Sequence, residues 1–289
     1  MDMIGQVSCY HEIEPWLQFK HPYVRQLAFC VASPNIISNI PNDLTLKHHF
    51  SLHSNTFWQH QFEQYLPRLK QLDQNPEPLF AFLNQLKSTR LGLRFEYLLW
   101  FWLLDHNYHF YQLLGHSIQK IDGEKTLGEL DFVLLNTQTN QIEHWEVALK
   151  YYLGESDLSL SHWYGLNRDD TLHKKLGYFT ERQFQFDSAL GHCIEQRFAV
   201  MKGQLFIPER INLVHLPFWI NPQRRLGRWG TQIKADYYRL QRHEWLCPHE
   251  SPSSLEAIWW ANGLYLDLKH TCHYYMYRQP PVIYQNHEK

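Results

Sequence analysis

The middle of the chain carries the clearest alternation of apolar and polar positions. Residues 90–106 (RLGLRFEYLLWFWLLDH) are apolar almost all round from Tyr97 onward, the pattern of a buried helix. Residues 109–118 (HFYQLLGHSI) then read as a strand. Residues 126–136 (TLGELDFVLLN) and 142–153 (IEHWEVALKYYL) are β-rich runs joined by the polar TQTNQ, which predicts a hairpin. A polar loop over 154–169 leads into a basic helix over about 171–186, with Asp170 or Thr171 as its N-cap. Residues 198–207 (FAVMKGQLFI) form a further strand. The predicted order is helix, three strands, helix, strand.

The flanks are less regular. Apolar positions in 21–37 and 57–69 recur at helical spacing, with Pro34, Pro41, Pro76 and Pro78 between and around them. Strands are expected over 257–265 and 271–283. With no low-complexity linker and no internal repeat, residues 1–289 read as a single α/β domain. Its parts are a helical extension over 1–88, a core over 89–207 and a mixed C-terminal elaboration over 208–289.

Composition narrows the class. Hydrophobic residues make up 44% of 289, enough for a substantial core and too many for a disordered chain. A net charge of -2 argues against a non-specific nucleic-acid coat, but not against a protein whose acidic site offsets a basic groove. Aromatics reach 16%, which serves either a core or a set of stacking platforms. Cys9, Cys30, Cys193, Cys247 and Cys272 form no CxxC pair and read as reduced thiols. There is no signal-peptide pattern, and the longest apolar run, 97–104, falls short of the ~20 residues a bilayer requires. The expectation is a soluble cytoplasmic protein without a membrane partner.

Two acids stand out in the hairpin. Asp131 lies between Leu130 and Phe132, and Glu146 between Trp145 and Val147. Unpaired burial of a carboxylate costs several kcal/mol, and two on adjacent strands repel. A hard divalent cation, Mg²⁺ or Mn²⁺, resolves both difficulties, since it takes oxygen ligands from one or two carboxylates and keeps waters. Lys150 shares the strand face of Glu146, because side chains alternate. Glu96, on the preceding helix, has no cation at the neighbouring helical positions, so its partner must come from elsewhere in the fold. Glu129 shares a face with Asp131 and reads first as a solvated neighbour, second as a further ligand.

At these residues the chain resembles a known superfamily. The element order, with Glu on the first helix, Asp on the second strand and Glu and Lys on the third, is similar to the αβββαβ core of PD-(D/E)XK phosphodiesterases. GLRFEYLLWFWL, GELDFVLL and HWEVALKYYLG resemble, more closely, the signature segments of an uncharacterised bacterial domain-of-unknown-function family that is similar to those nucleases. The resemblance implies a central mixed sheet flanked by helices and Mg²⁺- or Mn²⁺-dependent hydrolysis of DNA or RNA. It makes Asp131 and Glu146 the metal ligands, Lys150 the catalytic lysine and Glu96 an auxiliary acid.

One departure matters. The superfamily reads Glu-X-Lys, but Ala148 holds the expected lysine position and Lys150 follows two residues later. Strand positions four apart are ~13 Å apart, against ~6.6 Å for two. A bulge closes that gap, or Lys174 or Lys175 of the next helix substitutes. Otherwise the fold binds nucleic acid, or a protein partner, without cutting.

His173, Lys174, Lys175 and Arg182 are candidates for a phosphate-binding basic face. The run from Arg224 to Arg242, with Trp229, Tyr237 and Tyr238 between the cations, suits single-strand stacking or an ordinary amphipathic surface. Cys247, His249, Cys272 and His273 lack zinc-ligand spacing. GxGxxG, GxxxxGKS and GxSxG are all missing, which disfavours nucleotide motors and α/β-hydrolases.

Overall fold

Among the described residues, four α-helices precede the sheet. The computed structural model describes residues 14–211, 215–233, 236–248, 262–267 and 274–279. The helices are α1 (Pro22–Ala32), α2 (Asn55–Gln74), α3 (Glu77–Leu83) and α4 (Leu91–Leu104). In α2 the buried residues Trp58, Phe62, Tyr65, Leu69 and Leu72 recur at three- and four-residue steps, so one stripe faces inward. Ser54 caps it by accepting from the Phe57 N–H at 3.1 Å. α4 buries Phe95, Leu98, Leu99, Phe101, Trp102 and Leu103, whereas Tyr97 and Trp100 are half-buried and Leu104 is exposed, so the helix is not enclosed on every side as its apolar pattern predicts.

The strands β1 (Tyr111–Asp122), β2 (Lys125–Asn136) and β3 (Gln141–Gly154) pair antiparallel. The β2–β3 turn is closed by Asn136, whose Oδ1 accepts from the N–H groups of Gln138 and Thr139. After the short β4 (Trp163–Tyr164) comes α5 (Leu172–Glu181), and Thr171 is its cap, accepting from the Lys174 N–H at 3.1 Å. This helix is shorter than the expected 171–186. The chain turns after Glu181 into a 3₁₀ segment, Gln183–Gln185, and so buries Phe184 against Phe50 and Phe179.

A small hairpin, β5 (Ser188–Ala189) and β6 (His192–Cys193), precedes β7 (Gln196–Pro208). β7 lies parallel to β3, and β8 (Gly227–Gly230) lies parallel to β7. With β9 (Tyr237–Arg239), β10 (Gly263–Asp267) and β11 (Tyr274–Tyr277), the order is β1-β2-β3-β7-β8-β11-β10-β9, a large mixed sheet. β10 and β11 overlap the two C-terminal strand expectations; Asn262, Arg278 and Gln279 are described outside the strands, and the other residues of both expectations, with His249, Cys272 and His273, lie outside the described ones.

β3 is covered on both faces. Trp145, Leu149 and Leu153 pack in the cluster of α1, α2 and α4, while Ala148 and Tyr152 pack with Leu172, Leu176 and Phe179 of α5. Coverage on both faces explains its nearly unbroken apolar run. At Gly203 the backbone takes φ +120°, and a Cβ there would stand 1.9 Å from the Lys150 carbonyl oxygen. Glycine alone lets β7 close on β3 at that point.

Much of the aromatic excess is core: Trp58, Trp102, Trp145 and Trp163 are wholly buried. The C-terminal run from Arg224 is likewise not a free stacking surface, which corrects that expectation. Arg224 and Arg225 both bind Glu14, at 2.9 Å each, in a buried cluster. Trp229 donates to the Gly154 carbonyl, and Tyr237 and Tyr238 are buried. Tyr237 and Tyr238, adjacent on β9, are buried in two different clusters, so both faces of the strand are covered. Among the described residues, no helix is long and apolar enough to cross a membrane.

Candidate metal and phosphate site

The two acids meet where the hairpin stops pairing. Backbone pairing of β2 with β3 runs from Asn136↔Gln141 to Phe132↔Trp145. At the next position side chains replace the ladder. The Val147 N–H donates to Asp131 Oδ2 at 2.8 Å, and the Asp131 N–H donates to Glu146 Oε1 at 3.4 Å. On the other side of β2, His116 pairs with Phe132 and Ile118 with Leu130, so Ser117 stands opposite Asp131. Ser117 takes φ +50°, a left-handed conformation uncommon outside glycine. The sheet is therefore opened on both flanks of Asp131.

Glu146 is 0% exposed and surrounded by donors. His144 Nε2 lies 2.7 Å from Oε1, and the Gln183 side-chain amide donates to Oε2. Gln183 in turn accepts from the Lys175 ammonium at 2.9 Å. Burial pushes the Glu146 carboxyl up to about 8, with Lys175 opposing the shift. Asp131 is held well above the usual carboxylate range, first by burial and then by the negative charge of Glu146; the Val147 N–H and Lys175 act against this. Burial lowers Lys175 to about 8 although both acids favour its charge. The same cause takes His144 down to about 3, so its ring is neutral. The Nε2 side of this neutral ring is spent on Glu146, and the buried Nδ1 has no partner among the described residues.

Lys150 does not join this cluster. Its ammonium binds Asp170 Oδ2 at 2.7 Å, and Tyr152 donates to the other oxygen of Asp170. No bulge draws it toward Glu146, since β3–β7 pairing runs unbroken from Glu143↔Gln196 to Leu153↔Phe206. Lys175, from the helix, is the lysine beside the acids. This corrects the expectation that placed Lys150 there: the strand keeps its full rise per residue.

Glu96 accepts from His116 Nε2 at 2.7 Å and from the Ser117 hydroxyl at 3.2 Å. Its partners are thus a histidine and a serine of β1. His116 lies against Trp100 and Phe132, and the charge of Glu96 contributes to raising Asp131. Glu129 is exposed, and its charge helps raise Glu146. His173, Lys174 and Arg182 are exposed, whereas Lys175 turns inward, so the four do not share one face.

His144 carried a signal that the sequence reading passed over, two positions before Glu146 on the same strand face. Gln183 and His116 carried none, because their approach depends on a turn and on a register.

Among the described residues, no group of three or more His, Cys, Asp or Glu side chains is arranged to hold a metal ion. Asp131 and Glu146 still suit a hard cation, which needs only one or two carboxylates and keeps its waters. Asp131 Oδ1 accepts no hydrogen bond from the described residues, and a cation beside this pair would offset the burial that raises both acids and the Glu146 charge that adds to it at Asp131.

A family model described as Domain of unknown function (DUF1853) matches residues 25–270. No curated protein and no solved structure matches the chain.

Proposed function

We propose, for a chain that belongs to the family described as Domain of unknown function (DUF1853), that it is a Mg²⁺-dependent phosphodiesterase of the PD-(D/E)XK type acting on DNA or RNA. The observation that carries this reading is the meeting of Asp131 and Glu146 where β2 and β3 part, with Lys175 linked to them through Gln183. The order α4, β1, β2, β3, α5, β7 supports it, being the αβββαβ order of that superfamily.

In this reading Asp131 and Glu146 hold Mg²⁺ or Mn²⁺. Such an ion, when bound, polarises a phosphoryl oxygen and lowers the pKa of a bound water. The protein's own groups do the rest. Lys175, largely protonated at neutral pH with its value near about 8, faces the charge that grows on the phosphoryl oxygens. Gln183 fixes the ammonium relative to Glu146, and His144 fixes Glu146 from the other side. Lys150 is an outlying positive charge, paired with Asp170.

The test is a cleavage assay with single- and double-stranded DNA and RNA in Mg²⁺ or Mn²⁺. Product is expected from the wild type and none from Asp131→Asn or Glu146→Gln. Equal cutting by both variants overturns the assignment.

A second reading, a nuclease-fold module that binds without cutting, is favoured by one observation: both oxygens of Glu146 already accept hydrogen bonds. It expects salt-sensitive binding and no metal-dependent product.

A further inference from the structure

Tyr178 of α5 is 55% exposed, an unusual setting for a large aromatic side chain in a protein that buries most of its tryptophans. The Lys175 ammonium lies 5.7 Å from the centre of its ring. That same ammonium binds Gln183, which binds Glu146. The exposed ring is therefore two side chains, Lys175 and Gln183, away from the buried Glu146 carboxylate.

Its neighbours are cations. Lys174 lies four residues before Tyr178 on α5, and Arg182, the residue that ends the helix, donates its N–H to the Tyr178 carbonyl at 3.0 Å. Both cations are exposed. Lys47, also exposed, is held nearby by its own N–H, which donates to Thr180 Oγ1 at 2.8 Å. Lys47 and Arg182 line one surface depression with Thr45 and Glu181. Lys47 and Arg182 face the one carboxylate of Glu181 in that depression, which leaves it positive, while the Lys174 ammonium donates to the Asp169 carbonyl at 3.0 Å.

A positive strip with an exposed ring in its middle discriminates between nucleic acids. Ammonium and guanidinium groups bind the phosphates of single and double strands alike. A ring adds affinity only where a base offers a free face, which a duplex interior does not. We infer that Tyr178, between Lys174 and Arg182, is a stacking platform that delivers a single strand to the site, so the substrate is single-stranded nucleic acid. This inference rests on the phosphodiesterase reading only for the word substrate; the binding it describes is measurable without cleavage.

The experiment is fluorescence anisotropy in EDTA with a short labelled oligodeoxynucleotide, the matching oligoribonucleotide and a duplex of the same sequence. Both single strands are expected to bind more tightly than the duplex, and whichever binds more tightly identifies the sugar preferred. Tyr178→Ala is expected to weaken single-strand binding about tenfold and leave duplex binding unchanged, while Tyr178→Phe restores it. Lys174→Ala is expected to weaken both and to reduce the salt slope by about one. An unchanged affinity in Tyr178→Ala, or a duplex bound as tightly as the single strands, overturns the inference. Single-strand preference without any Mg²⁺-dependent product keeps it and removes the phosphodiesterase reading. Mg²⁺-dependent cutting of duplex, undiminished in Tyr178→Ala, does the reverse.

Discussion

The Lys175 ammonium is joined to the buried carboxylate of Glu146 through one intervening side chain, the amide of Gln183. The relationship crosses from a helix to a strand and replaces the Glu-X-Lys pairing that a single strand would supply. It makes a sharp distinction between two lysines. In single-turnover cleavage, Lys175→Met is expected to slow the reaction about 10²- to 10³-fold, the range for losing one preorganised charge at a developing anion. Lys150→Met, which removes a partner of Asp170, is expected to cost less than about tenfold. A larger loss in Lys150→Met would return the role to the strand.

The raised acid predicts a pH dependence of stability. Glu146 moves from 4.5 to about 8 in the fold. Between those values the folded chain holds a proton that the unfolded chain has released, so stability falls as pH rises through that window. Lys175, lowered from 10.5 to about 8, works above it: there the unfolded chain holds the extra proton, and stability climbs with pH. Below pH 6.5 the lowered His144 works the other way, so thermal unfolding in metal-free buffer is expected to show the loss between about pH 6.5 and 8 in the wild type and a smaller one in Glu146→Gln. Superimposable curves would mean that Glu146 titrates near its ordinary value.

His144 is the second support of Glu146, and both side chains are wholly buried. His144→Ala removes a donor to a buried carboxylate and leaves a cavity, for which about 2–4 kcal/mol of destabilisation is expected. Urea unfolding with an unchanged slope is the measurement. A change below about 0.5 kcal/mol would show that Glu146 finds equivalent support elsewhere.

Two glycines give a matched pair of substitutions. Gly203→Ala drives a methyl into the Lys150 carbonyl at a φ of +120°, and is expected to cost about 4 kcal/mol or more, or to prevent folding. Gly177→Ala, in α5 with nothing within 4 Å of its new Cβ, is expected to stabilise by about 0.5–1 kcal/mol. Denaturant melts and soluble yield read both. A tolerated Gly203→Ala would mean that β3 and β7 part more easily than their pairing suggests.

The sequence exposed the sheet and its two acids well. Asp131 and Glu146 interrupt apolar strands, and a polar residue in such a run is visible without coordinates. Alternation also fixed the hairpin, whose turn and both arms lie within a residue or so of the expected bounds. Lys175 was harder to single out, because helical neighbours His173, Lys174 and Lys175 look alike in sequence and only packing of Leu172, Leu176 and Phe179 turns one of them inward. Gln183 lies beyond the end of α5, in a turn that hydrophobic burial of Phe184 imposes. The aromatic and arginine-rich run after residue 223 misled for the opposite reason. Its composition suits a nucleic-acid surface, while long-range partners such as Glu14 draw it into the interior.

That last contact sets an order on synthesis. Glu14 and Arg224 are 210 positions apart, and each guanidinium or carboxylate left alone in that interior is costly. A nascent chain must hold its first helices with this seam unfinished until Arg224 has left the ribosome. The early segment thus waits through the synthesis of some 210 residues with this seam open, the interval in which a chaperone, or another nascent copy, has its best access.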